Sequence, residues 1–115
     1  MTTNEVANRL VDLCRKGEFE TAVAELYHNN IVSIEPDGAP QKETVGIEAV
    51  IQKGKAFNEM METFHGMEVS DPVVADNFFS CSMVMDVTLK GAPRGKMEEV
   101  CVYQVKDGKI IGVGK

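Results

Sequence analysis

Residues 78–90, Phe78-Phe79-Ser80-Cys81-Ser82-Met83-Val84-Met85-Asp86-Val87-Thr88-Leu89-Lys90, decide the fold. Phe79, Cys81, Met83, Met85, Val87 and Leu89 fall on one face of an extended chain, and Ser80, Ser82, Asp86 and Thr88 fall on the other. That period of two predicts a long strand with one apolar face. Outward from it, Asn77 marks a turn on one side and Gly91-Ala92-Pro93-Arg94-Gly95 a turn on the other. Further strands are predicted near residues 66–75 and 96–106. Asp107-Gly108 is a hairpin signal, with a last strand starting at Lys109.

Before residue 65 the period is helical. Thr2 and Glu5 fit a capping box, and Val6, Leu10, Leu13 and Cys14 follow at helical spacing, predicting a helix over 4–15 that stops at Gly17. A second helix reads from Glu18 through Phe19, Ala22, Val23 and Leu26, ended by Asn29-Asn30. Ile31–Glu35 reads as a short strand, closed by Pro36 and a loop at Asp37-Gly38-Ala39-Pro40. The third helix carries the stripe Ile47, Val50, Ile51, Gly54, Phe57, Met61 and Phe64, and Gly54 within it suggests close packing on another element. Helices first and strands after exclude a doubly wound parallel sheet. They predict an α+β domain whose sheet has one face closed by helices.

The 115 residues make one domain, with 43% hydrophobic residues. No segment nears the ~20 apolar residues of a membrane span, and Asn4, Glu5 and Asn8 replace the apolar core of a signal peptide, so a cytoplasmic chain is expected. A net charge of -6 speaks against nucleic acid and anionic membrane as partners. Cys14, Cys81 and Cys101 have no paired spacing and read as buried hydrophobes. Val100 and Val102 oppose Cys101 and Tyr103 on their strand, so the outer sheet face is partly apolar and a homodimer through it is expected.

No cofactor or metal is expected. His28 and His65 have no ligand spacing, and Gly91–Met97 is too short for a phosphate-binding loop and lies in a hairpin. The carboxylates carry more chemistry. Glu35 ends a strand beside apolar Ile31, Val32 and Ile34. Burial at a pocket rim would raise its pKa toward the range of a general base. Asp86 and Glu99 are weaker candidates for the same space. Tyr27 and Tyr103 are the phenolic donors available to a carbonyl or oxyanion.

Val6–Gly17, Phe19–Tyr27, Ile31–Pro36, Gly46–Val50 and Val102–Ile110 together resemble the NTF2-like superfamily, in particular its SnoaL-like group of polyketide cyclases. The resemblance covers nearly the whole chain. It implies a cone in which N-terminal helices cap a curved, mainly antiparallel sheet around an apolar pocket. The lining residues expected of that pocket are Leu10, Phe57, Met61, Met83, Met85 and Cys101, with a small apolar molecule as ligand. Many members are homodimers, and activities range over isomerases, cyclases, dehydratases and binding proteins. In the ketosteroid isomerases a catalytic carboxylate precedes the proline that closes the first strand, the position of Glu35 before Pro36. Their oxyanion tyrosine and protonated aspartic acid correspond to Leu10 and to Val100 or Cys101, which cannot replace them. The implied activity is proton abstraction next to a carbonyl with Glu35 as base, and steroid isomerisation by the known mechanism is not expected. A non-catalytic dimerisation module with a filled interior is the structural alternative. Two glycines in the last four residues are poor strand material, so the final strand is expected to be short or truncated.

Overall fold

The computed structural model describes residues 1–39 and 42–115. The first helix, α1 (Thr3–Arg15), opens on the capping box: Thr2 accepts from the Glu5 amide while the Glu5 carboxylate accepts from the Thr2 amide. It ends at Gly17, which takes φ +74, a conformation costly for residues with a Cβ. Helix α2 (Phe19–Leu26) follows, then β1 (Tyr27–Ile34) and β2 (Glu43–Val45). Strand β1 starts at Tyr27, four residues earlier than its hydrophobic run predicts, because Tyr27 pairs with Ile110. The short β2 has no signal in the sequence. In the predicted loop after β1, Gly38 adopts φ +92, and Pro40 lies outside the described residues.

Helix α3 (Ile47–Met60) stops short of Phe64, and β3 (Met61–Val69) begins there. Met61, Thr63 and Phe64 pair with Leu89, Thr88 and Val87, so sheet pairing overrides the helical spacing. The strand expected over 66–75 is broken at Pro72, which cannot donate to a ladder, leaving β4 (Val73–Ala75) as a separate short strand. Strands β5 (Phe78–Leu89), β6 (Gly95–Lys106) and β7 (Lys109–Gly114) complete the chain. The β6–β7 turn places Asp107 and Gly108 at φ +52 and +77, the pair of positive values that a tight hairpin needs.

The expectation of a cone is corrected. Among the described residues the strands form one mixed seven-stranded sheet in the order β2-β1-β7-β6-β5-β3, with β4 also on β5, and the sheet neither curls up nor closes. Closure requires the two edge strands to hydrogen-bond, but β2 has only three residues and β3 is bulged twice, between Met61 and Thr63 and between Phe64 and Gly66. Bulges at a sheet edge end pairing and do not extend it. One pairing in it is parallel, that of β1 with β7.

The three helices cover one face of this sheet. Val6, Ala7, Leu10, Leu13 and Cys14 of α1 and Leu26 of α2 pack with Ile31, Phe79, Cys81, Cys101, Tyr103 and Ile110 from the strands. Phe79 stacks on Tyr103 with ring centroids 4.7 Å apart. Arg15 fastens α1 to β3 by donating twice to the Val69 carbonyl, at 3.1 and 2.9 Å.

Candidate functional site

Helix α3 carries an apolar stripe but no buried residue. The reason is a cavity of about 710 Å³ between α3, the α1–α2 pair and the covered sheet face. Val50, Ile51, Phe57 and Asn58 face it from α3, with Leu10 and Cys14 from α1 and Phe19, Ala22 and Val23 from α2. Met67, Met83, Met85, Met97, Cys101 and Tyr103 form the wall from the sheet. All six residues singled out as lining candidates, Leu10, Phe57, Met61, Met83, Met85 and Cys101, are on this surface. Unbranched, polarisable methionines make a wall that can adjust to irregular apolar shapes.

Gly54 also faces the cavity. The close packing expected at this glycine is absent, for a Cβ built there would meet nothing within 4 Å. Its missing side chain leaves space in the wall instead of bringing two elements together.

The polar end of the cavity is assembled by the parallel β1–β7 ladder. Ile34 is in register with Gly114, and the Lys115 amide continues the ladder by donating to the Ile34 carbonyl at 3.1 Å. The next residues on the two strands, Glu35 and Lys115, therefore lie side by side. Lys115 Nζ is 3.5 Å from Glu35 Oε1 and 3.9 Å from Glu99 Oε1. From α3, Lys53 Nζ donates to the same Glu35 oxygen at 2.6 Å. Glu35, Lys53, Glu99 and Lys115 thus bring two carboxylates and two ammonium groups to the cavity wall.

This company reverses the expected shift at Glu35. Burial pushes its pKa up, but the Lys53 hydrogen bond and the charges of Lys115 and Lys53 outweigh burial and hold it below the ordinary carboxylate value. Glu35 is therefore an ionised carboxylate at neutral pH and not a base strengthened by an apolar setting. For Lys115, burial opposes the charge, while Glu99 and Glu35 raise its pKa, so the ammonium persists.

Tyr27 and Tyr103 both line the cavity. Burial is the largest cause of the raised pKa of each, and both remain protonated donors. Burial likewise pushes the Cys14 and Cys101 thiols up to about 12, which removes them as nucleophiles at neutral pH. Asp86 is placed elsewhere. It lies outside the cavity lining and accepts two bonds from the Arg94 guanidinium, at 3.0 and 2.8 Å. Among the described residues no cluster of three His, Cys, Asp or Glu side chains could hold a metal ion.

Glu35 and Glu99 are placed on the cavity lining, and so are Lys53 and Lys115, which the sequence did not single out. Lys53 is offset from the apolar stripe of α3 and looks like an exposed helix lysine. Lys115 reaches the site only through a parallel pairing of residues 80 positions apart, Ile34 with Gly114. A charge following a strand-like Ile110–Gly114 segment is a signal too common to be informative.

Comparison with known proteins gives a consistent result. The family described as SnoaL-like domain matches residues 1–113. A crystal structure from Mesorhizobium loti, described as a candidate SnoaL-like polyketide cyclase with carbohydrate phosphatase in brackets, is 33% identical with a TM-score of 0.93, covering 99% of this chain and 97% of that one. A protein of unknown function with a cystatin-like fold from Xanthomonas campestris has a TM-score of 0.82 at 16% identity, covering 98% and 88% of the two chains. An NTF2-like protein of unknown function from Burkholderia pseudomallei has a TM-score of 0.80 at 13% identity, covering 99% and 89%. Among curated proteins, none matches the sequence. Among the described residues, no helix is long and apolar enough to cross a membrane.

Proposed function

The chain belongs to the SnoaL-like domain family, within the NTF2-like proteins, and from that premise we propose that it binds a small, largely apolar molecule in the cavity under α3. The observation that carries this reading is the unfilled apolar wall. About 710 Å³ of space faces methionines and the half-buried stripe of α3, and a pocket of this size accommodates a small organic ligand. An interior filled by its own side chains, as a pure dimerisation module would have, fits this space poorly. Titration with the neutral fluorophore 1-aminoanthracene tests the reading. Saturable binding at one molecule per chain is expected, and it is lost in Gly54→Phe, where an added ring occupies the cavity. Absence of saturable binding, or equal binding by the Gly54→Phe protein, overturns the proposal.

One observation favours a catalytic form of the same reading. Glu35 is ionised, 15% exposed at its side chain, and on the cavity wall, so it can accept a proton from a bound molecule. The corresponding activity is that of an isomerase, cyclase or dehydratase that abstracts a proton next to a carbonyl. Glu35 accepts the proton, with Tyr27 or Tyr103 beside the oxygen. On any substrate found by screening, Glu35→Gln is expected to lose turnover by about 100-fold or more. Unchanged turnover rules Glu35 out as base. The exposed Val100 and Val102 on the uncovered sheet face support a homodimer as the working assembly.

A further inference from the structure

The polar groups at the β1–β7 end of the cavity are unequally engaged. Glu35 Oε1 accepts a short bond from Lys53 at 2.6 Å. The Lys115 ammonium is 29% exposed at its side chain, and among the described residues its nearest carboxylate oxygens are those of Glu35 and Glu99, 3.5 and 3.9 Å away. Both distances exceed the roughly 2.8 Å of a good charge-assisted hydrogen bond. An ammonium has three donors and no acceptor, so Lys115 keeps directional bonding capacity toward the space it lines. A wholly apolar occupant would strip water from this ammonium and return no hydrogen bond, which is costly for a charged group. A ligand oxygen with negative charge satisfies it.

We propose that the cavity takes an amphipathic ligand, with an apolar body against the methionine wall and, at one end, an oxygen that carries or takes up negative charge, and that Lys115 holds that oxygen. The chemical class is a carboxylate, an ionised phenol or an enolisable ketone. The inference rests on the reading of the cavity as a ligand site and adds the polar half of the ligand to it. When Glu35 takes a proton from the carbon beside a ketone, the C–H bond breaks and its electron pair forms the enolate. The proton becomes the O–H of Glu35, and the negative charge moves from Glu35 to the ligand oxygen. The total charge around Lys115 is unchanged, and Lys115 exchanges one anionic neighbour for another.

Two near-isosteric probes separate the parts of this proposal: 2-naphthoate, an anion at pH 7, and 2-naphthamide, which is neutral. The chain contains no tryptophan, so the naphthyl fluorescence is read directly. The wild type is expected to bind 2-naphthoate about tenfold or more tightly than 2-naphthamide. Lys115→Met abolishes that preference and leaves 2-naphthamide binding intact. Glu35→Gln removes the carboxylate that competes for Lys115, so 2-naphthoate binds more tightly while 2-naphthamide does not; this variant carries the test even if Lys115→Met fails to fold. Equal binding of the two probes, a preference that survives Lys115→Met, or unchanged 2-naphthoate affinity in Glu35→Gln overturns the role of Lys115 and leaves the ligand cavity standing. Binding of neither probe overturns both.

Discussion

Glu35 Oε1 lies 2.6 Å from the ammonium of Lys53, so α3 is fastened to the end of β1 by one charged bond at the edge of an open cavity. Helix α3 buries no residue. A bond of this kind therefore fixes its position more than it would on a helix packed along its length, and it couples the helix over the cavity to the ionisation of one carboxylate.

The pH dependence follows from the sign of the shift. A carboxylate whose folded pKa is depressed stabilises the fold fully above its unfolded pKa. That contribution is lost as pH falls through the lower folded value. The stability of the wild type should therefore fall between pH 5 and pH 3 by more than that of Glu35→Gln. Urea denaturation at the two pH values measures this, and parallel losses in the two proteins would remove Glu35 from the account.

At Gly54 the helix interior holds a residue with poor propensity and open space around its α-carbon. Gly54→Ala is expected to stabilise the fold by up to about 1 kcal/mol, because alanine loses less backbone freedom and meets no neighbour. A urea midpoint that moves down instead would show that the space is needed by the native packing.

Phe79 is 1% exposed and stacked on Tyr103 within the buried core. Phe79→Ala should cost about 3–5 kcal/mol, which is a large part of the stability of a domain this size. Thermal unfolding measured by circular dichroism reads the loss directly. A change below about 1 kcal/mol would mean that the neighbouring core side chains collapse to refill the site.

The uncovered sheet face presents Ile34, Val45, Val100 and Val102, each at least 45% exposed. Ile34 and Val102 both pair with Gly114, which leaves a low stripe between them. Light scattering at micromolar concentration should give about twice the 12.6 kDa chain mass. Val102→Glu should return it to the single-chain value, since two uncompensated carboxylates would be buried at a two-fold interface. A wild type already at 12.6 kDa rejects the dimer.

Cys14, Cys81 and Cys101 are all buried, and burial pushes their thiols up to about 12, 11 and 12. Ellman's reagent should therefore titrate no thiol at pH 7.5 in the folded protein and three in 6 M guanidinium, roughly as thiolate access dictates. Rapid reaction of one thiol without denaturant would show that the cavity admits the reagent and that the thiolate forms there.

The sequence alone determined the elements that have strong local causes. Alternation in residues 78–89, the Thr2–Glu5 box, Gly17 and Asp107-Gly108 each act over a few residues, and the structure uses each as expected. The apolar wall could also be read, because a side chain facing a cavity and one facing a core obey the same periodicity. For that reason the sequence could not say that the stripe of α3 faces empty space, nor that Gly54 widens it. Tertiary structure decided the rest. It left the sheet open where a cone was expected, because β2 is too short and β3 too bulged to meet edge to edge. It moved Asp86 out of the site to Arg94, and it set β1 parallel to β7. That last pairing joins residues about 80 positions apart and puts Lys115 beside Glu35. The two ammonium groups it helps gather set the ionisation of the carboxylate, a through-space effect that no local pattern of residues records.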